Sequence, residues 1–251
     1  MLKSLLDVPE HSSWKIVLFE ERENVGGIWW VLTAFLSTFI TDNFGERLPD
    51  PDPAPPPIIP RTPLYPGLHT NMPVPVMTYP KIPYPAGTHL YASHEHVESY
   101  LVSYAHRYNL LPHIRFNHEV LNASWLGTPK AGLWNVTFSD HRNETHYDTF
   151  EHLIVASGND RIPREPSWPG QDEWLAGGNG TQREIIHSAW YRHPEKYANK
   201  SILIVGSWAS GRDVAAETAS LVSKARRFSN LCWRWTDICG SEEFYVNTNQ
   251  S

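Results

Sequence analysis

The chain has 251 residues, 41% of them hydrophobic, enough to bury one large core or two small ones. A formal net charge of −6, with no basic block beyond Arg226-Arg227, argues against nucleic acid or an anionic membrane surface as partner. The two cysteines, Cys232 and Cys239, are too few for a disulfide framework and match no zinc spacing, so a reducing, cytoplasmic setting is expected. Asn-X-Ser/Thr sequons at Asn122, Asn135, Asn143, Asn179, Asn199 and Asn249 leave a secretory route open, although no signal peptide is legible.

In chain order, Leu2, Leu5 and Leu6 followed by Pro9-Glu10-His11-Ser12-Ser13 read as the last turns of a helix and a loop. Ile16-Val17-Leu18-Phe19 is a continuous apolar run, as in a parallel strand covered on both faces; it ends in Glu20 and leads to Gly26-Gly27. The run from Ile28 to Ile40 is apolar but shorter than the about 20 residues of a membrane span, so no transmembrane segment is expected. Residues 49–87 are proline-rich, which blocks helix. Leu64, Tyr65, Leu68, Met72, Val74, Val76, Met77 and Tyr79 offer anchors that would wrap this extended segment over a core.

Helical spacing returns at about 94–109 through Val97, Leu101, Tyr104, Ala105 and Tyr108, with Ser93 as N-cap and Pro112 beyond the end. Three strand-like runs follow, Glu119 to Trp125, Leu133 to Phe138 and Tyr147 to Phe150, and predict a small antiparallel meander. Leu153-Ile154-Val155-Ala156 reads as another buried strand, ending at Ser157-Gly158. Residues 164–187 are loop-rich, Ile202 to Val205 is the next buried strand, and Val214, Thr218, Leu221, Val222 and Ala225 mark one face of the helix after it. Beyond about residue 228 the pattern is irregular.

The turn "GSWASG" at 206–211 joins that strand to that helix. In a dinucleotide turn the first glycine permits the bend, the second lets the backbone approach the pyrophosphate, and the third allows close helix–strand packing. The phosphate then meets N–H groups at the helix N-terminus. Gly206 and Gly211 suit the first and third roles, while Trp208 stands at the second. By itself this pattern also fits an ordinary strand–helix turn. A nucleophile elbow would need a glycine where Trp208 stands, two residues before Ser210, which argues against a serine hydrolase. Glu20, at a strand end, has the chemistry of a ribose-hydroxyl acceptor, but no glycine turn precedes it, so a surface glutamate remains the alternative. His94-Glu95-His96 does not make a metal site, since i, i+2 side chains diverge on a helix and no third ligand is spaced to help.

Several stretches, in order, resemble the flavin-containing monooxygenase family, in a fungal-type form truncated at both ends. "VLFEERENVGGIW" (17–29) is similar to the second half of its FAD site, and "TPLYPGLHTNMPVPVMTYPKIPYP" (62–85) to its Thr-Asn-Met/Leu-Pro segment. "HVESYLVSYAHRYNLLPHIRFNHEV" (96–120), "LIVASGNDRIPREPSWPG" (153–170) and "HSAWYRHPEKYANKSILIVGSWASGRDVAAE" (187–217) resemble its subsequent segments, the last being the approach to the NADPH turn. The resemblance implies an α/β chain, a partial two-dinucleotide-binding-domain (Rossmann-like) flavoprotein fold with a small antiparallel β meander. A partial FAD-binding domain would span 1–175, with the meander at 118–151, and a partial NADPH-binding domain 176–251.

It further implies that Glu20 binds the FAD adenosine ribose, that Gly26, Gly27 and Trp29 line the flavin cofactor, and that Asn71 hydrogen-bonds the oxygenated flavin. Asn71 as a turn residue before Pro73 is the plainer alternative. Gly206, Ser207, Ser210 and Gly211 would hold the NADPH pyrophosphate. The implied activity is an FAD- and NADPH-dependent monooxygenation: O2 adds at flavin C4a and a soft N or S nucleophile takes one oxygen from the hydroperoxide. Its partners are a small-molecule substrate and O2. The alternatives are a catalytically inactive nucleotide-binding fragment and a flavin-dependent NADPH oxidoreductase without oxygenation. The sequence departs from the family in lacking the FAD glycine turn, in Thr181 and Arg183 ahead of the motif His187, at 30–47, and after about 228.

Overall fold

The computed structural model describes residues 1–29, 60, 62–158, 162–164, 166–177, 183–206 and 208–228. The expectations for residues 30–47, for most of the tail and for Ser207 lie outside the described residues. The chain divides into two units, one of residues 1–30, 78–88 and 95–159, the other of residues 31–77, 89–94 and 160–251.

The first unit begins with a short helix, α1 (Leu2–Leu6), and a 3-10 turn, Pro9–Ser13. Strand β1 (Leu18–Glu20) starts two residues later than the apolar run that announces it. It pairs in parallel with β2 (Ile114–Phe116), Leu18 opposite Ile114 and Glu20 opposite Phe116. Pattern reading ends the helix at about 109 and begins its strands at Glu119, so it leaves β2 unassigned, because three residues show no periodicity of their own. The meander is present: β3 (Glu119–Thr128), β4 (Ala131–Ser139) and β5 (Thr145–Phe150) are antiparallel in that order. Alternation along β4 turns Val136 and Phe138 inward, and Phe138 lies 4.6 Å from the ring of Phe19 on β1. Aromatic burial of this kind fixes the strand that ends in Glu20 against the meander.

The long helix α3 (His94–Arg107) follows Ser93, with Val97, Tyr100 and Ala105 buried. Tyr100, absent from the expected face, is its best-held side chain. Its ring stacks on Tyr84 at 3.9 Å, and its hydroxyl donates to Ile82 O at 2.8 Å and accepts from Tyr79 N at 2.7 Å. Proline-rich backbone cannot satisfy itself with a ladder, and a side chain does so here.

In the second unit, the extended stretch from Thr62 to Thr70 buries Leu64 and Tyr65, and a four-residue helix, α2, covers Val74–Met77. The anchoring expectation fails at Met72 and Val76, which are exposed, whereas Tyr79 packs its ring on Tyr100 and Tyr104. Residues 68–74 instead run antiparallel to 90–94: His94 N donates to Leu68 O at 3.3 Å, Thr70 N to Ala92 O at 2.8 Å, and Val74 N to Leu90 O at 2.8 Å.

Helix α4 spans Gln171–Ala176 in the loop-rich region. Strand β6 (Ser201–Val205), helix α5 (Ala209–Thr218) and strand β7 (Lys224–Phe228) make a right-sized βαβ unit with parallel strands. Three corrections follow. Leu153–Ala156 is not a strand, and Val155 is 78% exposed, because an apolar run becomes a strand only where another strand supplies its hydrogen bonds. Strand β6 is covered on one face only: Ile202 packs inward while Leu203 and Val205 are exposed. The helix ends at Thr218, so Ala225 belongs to β7 rather than to a helix face.

Candidate dinucleotide site

At the end of β6 the chain reverses through Gly206, whose φ of 122° is open to glycine alone. Five residues on, Gly211 lies so close that a β-carbon there would stand 2.4 Å from Gly206 O. These are the bend and the close helix–strand approach that the first and third glycines of a dinucleotide turn supply. Trp208 is 85% exposed, so its indole stands in solvent rather than between strand and helix, which explains how a bulky residue is accommodated at the middle position. Trp208 has extended backbone (φ −80°, ψ −173°) and caps α5, whose first intrahelical bond runs from Arg212 N to Trp208 O at 3.0 Å. The N–H groups of Ala209, Ser210 and Gly211 therefore have no acceptor within the helix and stand at its positive end. Ser210 is exposed beside them.

The core behind this turn is Tyr65, Tyr191 and Tyr197, against which Leu68, Ile186, Ile202, Val214 and Val222 pack. Tyr191, 1% exposed, meets Tyr65 edge-on at 5.2 Å and stacks on Tyr197 at 5.9 Å. Arg192, also buried, donates to Ala189 O at 2.9 Å, to Tyr191 O at 2.6 Å and to Thr62 O at 2.6 Å. The guanidinium thus ties the approach to the turn to the start of the extended stretch. His187 caps the 3-10 turn Ser188–Trp190 by accepting from Ala189 N at 3.1 Å. Asn71 sits exposed on the bend after Thr70, whose hydroxyl donates across it to Met72 O at 2.9 Å.

In the first unit, Glu20 ends β1, and its Oε1 accepts from Arg22 N at 3.0 Å. Burial holds this carboxyl above the usual carboxylate range, against the lowering effect of the Arg22 N–H and guanidinium. The chain then bends through Gly26 (φ 123°) and Gly27 (φ 57°) into a 3-10 turn, Gly27–Trp29, in which Trp29 is half-buried. A β-carbon on Gly27 would meet no atom within 4 Å, so the bend needs glycine for its conformation and faces open space. Buried Arg22 donates through Nη1 to Gly27 O at 2.5 Å, joining the acid-bearing strand end to the bend. Sequence reasoning missed Arg22, Tyr65, Tyr191 and Arg192 as organisers.

The structure therefore gathers Gly206, Ser210 and Gly211 at one turn, and Glu20, Gly26, Gly27 and Trp29 along one short segment. Asn71 belongs to the unit of the turn, not to that of Glu20. The profile of the flavin-binding monooxygenase-like family matches residues 60–234.

The chain belongs to this family.

Among curated relatives it is 27% identical over 246 residues to flavin-containing monooxygenase FMO GS-OX5 of Arabidopsis thaliana, covering 93% of this chain and 48% of that protein. It is 28% identical over 211 residues to flavin-containing monooxygenase 1 of Sus scrofa, covering 82% and 34%. The chain thus spans half or less of the length of these relatives. Solved structures share the fold: S-allyl-L-cysteine S-oxygenase from Allium sativum (TM-score 0.67, 22% identity, 90% of this chain and 48% of that one) is one. Another is OTEMO in complex with FAD and NADP (TM-score 0.58, 21% identity, 91% and 36%). The fold of this family member is a Rossmann-like α/β one with a separate antiparallel sheet. No helix among the described residues is long and apolar enough to cross a membrane.

Proposed function

We propose that this chain carries nucleotide-binding elements of an FAD- and NADPH-dependent monooxygenase that places one oxygen atom of O2 on a soft nitrogen or sulfur nucleophile. The observation that carries the reading is the 206–211 turn: a positive-φ glycine at the strand end, and a second glycine packed against it with no room for a β-carbon. The family match and the FAD and NADP named for one structural neighbour support the choice of ligands.

In this reading Gly206, Ser207, Ser210 and Gly211 hold the NADPH pyrophosphate, with the α5 N-terminus opposing its charge. Glu20 accepts hydrogen bonds from the FAD adenosine ribose. The Gly26-Gly27 bend and Trp29 line the flavin cofactor, and Arg22 keeps the bend in place. Asn71, with both a donor and an acceptor on a short side chain, orients oxygen at the flavin. Bound FAD would supply the redox chemistry, taking a hydride from NADPH and activating O2. The protein's part is to bind, orient and exclude water. The partial FAD-binding part falls in 1–175 and the partial NADPH-binding part in 176–251.

A second reading is a nucleotide-binding chain without turnover, since the geometry that carries the first reading is that of a dinucleotide turn and not of a reacting centre. Purified protein separates the two. Titration with FAD and with NADP+, followed by calorimetry, and NADPH oxidation in the presence of an alkyl sulfide or tertiary amine are the measurements. Binding of both nucleotides with substrate-dependent NADPH loss and formation of S- or N-oxide supports the enzyme. Nucleotide binding without oxygenated product supports the second reading, and no binding of either nucleotide removes both.

A further inference from the structure

Helix α5 presents two carboxylates, Asp213 and Glu217, four residues apart on one face. Like charges at this spacing repel and weaken a helix, and here the face they share is turned toward the tyrosine core. Each carboxylate is met by a phenol. Tyr65 donates its hydroxyl to Asp213 Oδ2 at 2.8 Å, and Tyr191 donates to Glu217 Oε2 at 2.5 Å. Hydrogen bonds to an ionised acceptor are the stronger kind, and the two rings brace each other edge-on at 5.2 Å. Burial, reinforced by the accepting carboxylates, pushes both phenols far above their usual range, so they remain donors at any working pH.

The backbone of the extended stretch is pressed onto the same face. A β-carbon on Gly67 would fall within bonding distance of Glu217 Oε1, the tip of a side chain, which shows how closely the stretch lies against that carboxylate. From this anchor the chain has little slack before Asn71. Leu68 N donates to Tyr65 O at 3.0 Å, Leu68 O accepts from His94 N, and Thr70 is held through Ala92 O and Met72 O. Asn71 is thus connected, through four residues of pinned backbone, to the helix whose N-terminus forms the 206–211 turn.

We propose that Tyr65 and Tyr191 are positioning residues that clamp α5, through Asp213 and Glu217, to the strap that carries Asn71, so that a pyridine dinucleotide seated at the 206–211 turn stiffens that strap. The second half rests on the dinucleotide reading of the turn given above. The first half, the clamp, does not. Neither tyrosine touches the ligand in this scheme. Both act by making helix and strap one body, so that order gained at one end is transmitted to the other.

Hydrogen exchange on the full chain, read in the peptides covering 68–74 and 206–212, tests both halves. Without ligand, Asp213→Ala, a change on the helix, raises exchange at 68–74 by about tenfold. Asp213→Asn, whose amide oxygen still accepts from Tyr65, restores protection, which distinguishes the clamp from a general loosening of the helix. With saturating NADP+, both peptides gain protection in the unaltered chain. In the Tyr65→Phe/Tyr191→Phe variant, which loses only two hydroxyls and keeps the packing, the gain persists at 206–212 and disappears at 68–74. Unchanged exchange at 68–74 in ligand-free Asp213→Ala overturns the clamp. Equal NADP+-induced protection at 68–74 in the double phenylalanine variant overturns the coupling. If NADP+ leaves 206–212 of the unaltered chain unprotected, the dinucleotide reading itself falls and takes the coupling with it, while the ligand-free comparison still decides the clamp.

Discussion

Replacing Gly211 with alanine puts the proposed turn to its sharpest test. The new β-carbon would stand 2.4 Å from Gly206 O and 3.0 Å from Gly206 C, both backbone atoms, whereas ordinary contact starts at 3.4 Å. The turn must therefore open by about 1 Å, a distortion comparable to overpacking a core, which costs about 1–3 kcal/mol. Alanine works the other way in helix propensity, by at most about 1 kcal/mol, and by less in a first turn. The steric effect wins, and a net loss of about 1–2 kcal/mol is expected. Opening the turn also moves the N–H groups of residues 209–211 away from any bound pyrophosphate, so NADP+ affinity falls by about tenfold. The assay is urea unfolding, followed by exchange in peptides over β6 and α5, together with NADP+ calorimetry. Gly27→Ala is the comparison, since its β-carbon meets nothing and only the φ of 57° is strained, at about 1–2 kcal/mol. If Gly211→Ala matches the unaltered chain within about 0.5 kcal/mol and binds NADP+ equally well, the close approach of strand and helix plays no part in binding, and the argument from the turn fails.

Other substitutions probe the remaining steps. Trp208→Ala should change stability by less than about 0.5 kcal/mol and leave NADP+ affinity intact, because the indole is exposed; a marked loss by calorimetry would put that ring in the site. Burial raises the Glu20 carboxyl, so its contribution favours the fold below the ordinary glutamate range and is lost as pH rises through the raised value. Glu20→Gln should therefore raise the melting temperature of the ligand-free chain at neutral pH, with a smaller effect in acid, while weakening FAD binding about tenfold. A gain in FAD affinity would exclude the ribose role. At Asp140, the raising effect of burial is outweighed by hydrogen bonds from Arg142 N, Glu144 N and His146, which hold the carboxyl at about 2. Its stabilising effect is present above the ordinary aspartate range and lost as pH falls through about 2, so Asp140→Asn should flatten the acid limb of a melting profile. Phe138→Ala empties the contact between β4 and Phe19, and about 3–5 kcal/mol should be lost in urea unfolding.

Much of this molecule was readable without coordinates wherever the determining physics is local. Alternation of apolar residues between turn residues sufficed for the β3–β4–β5 meander, and 3.6-residue spacing for α3. The glycines at 206 and 211 announced a bend and a close helix–strand approach, and the backbone is strained at the first and crowded at the second. The acid at the end of β1 was visible because the strand preceding it is short and apolar.

What tertiary structure decided concerns partners distant in sequence. Leu153–Ala156 has every local mark of a strand and is none, since a strand is completed by hydrogen bonds from a neighbour that its own residues do not specify. The mixed coverage of β6 escaped notice because an apolar residue looks the same whether or not anything lies over it. The pairings of Tyr65 with Asp213 and of Arg192 with Thr62 span 148 and 130 residues. No periodicity or motif links residues so far apart. Composition and spacing determined which segments bend, pair or bury, but only the folded chain determined which carboxylate a buried phenol would find, because that choice depends on where separate backbones come to rest against one core.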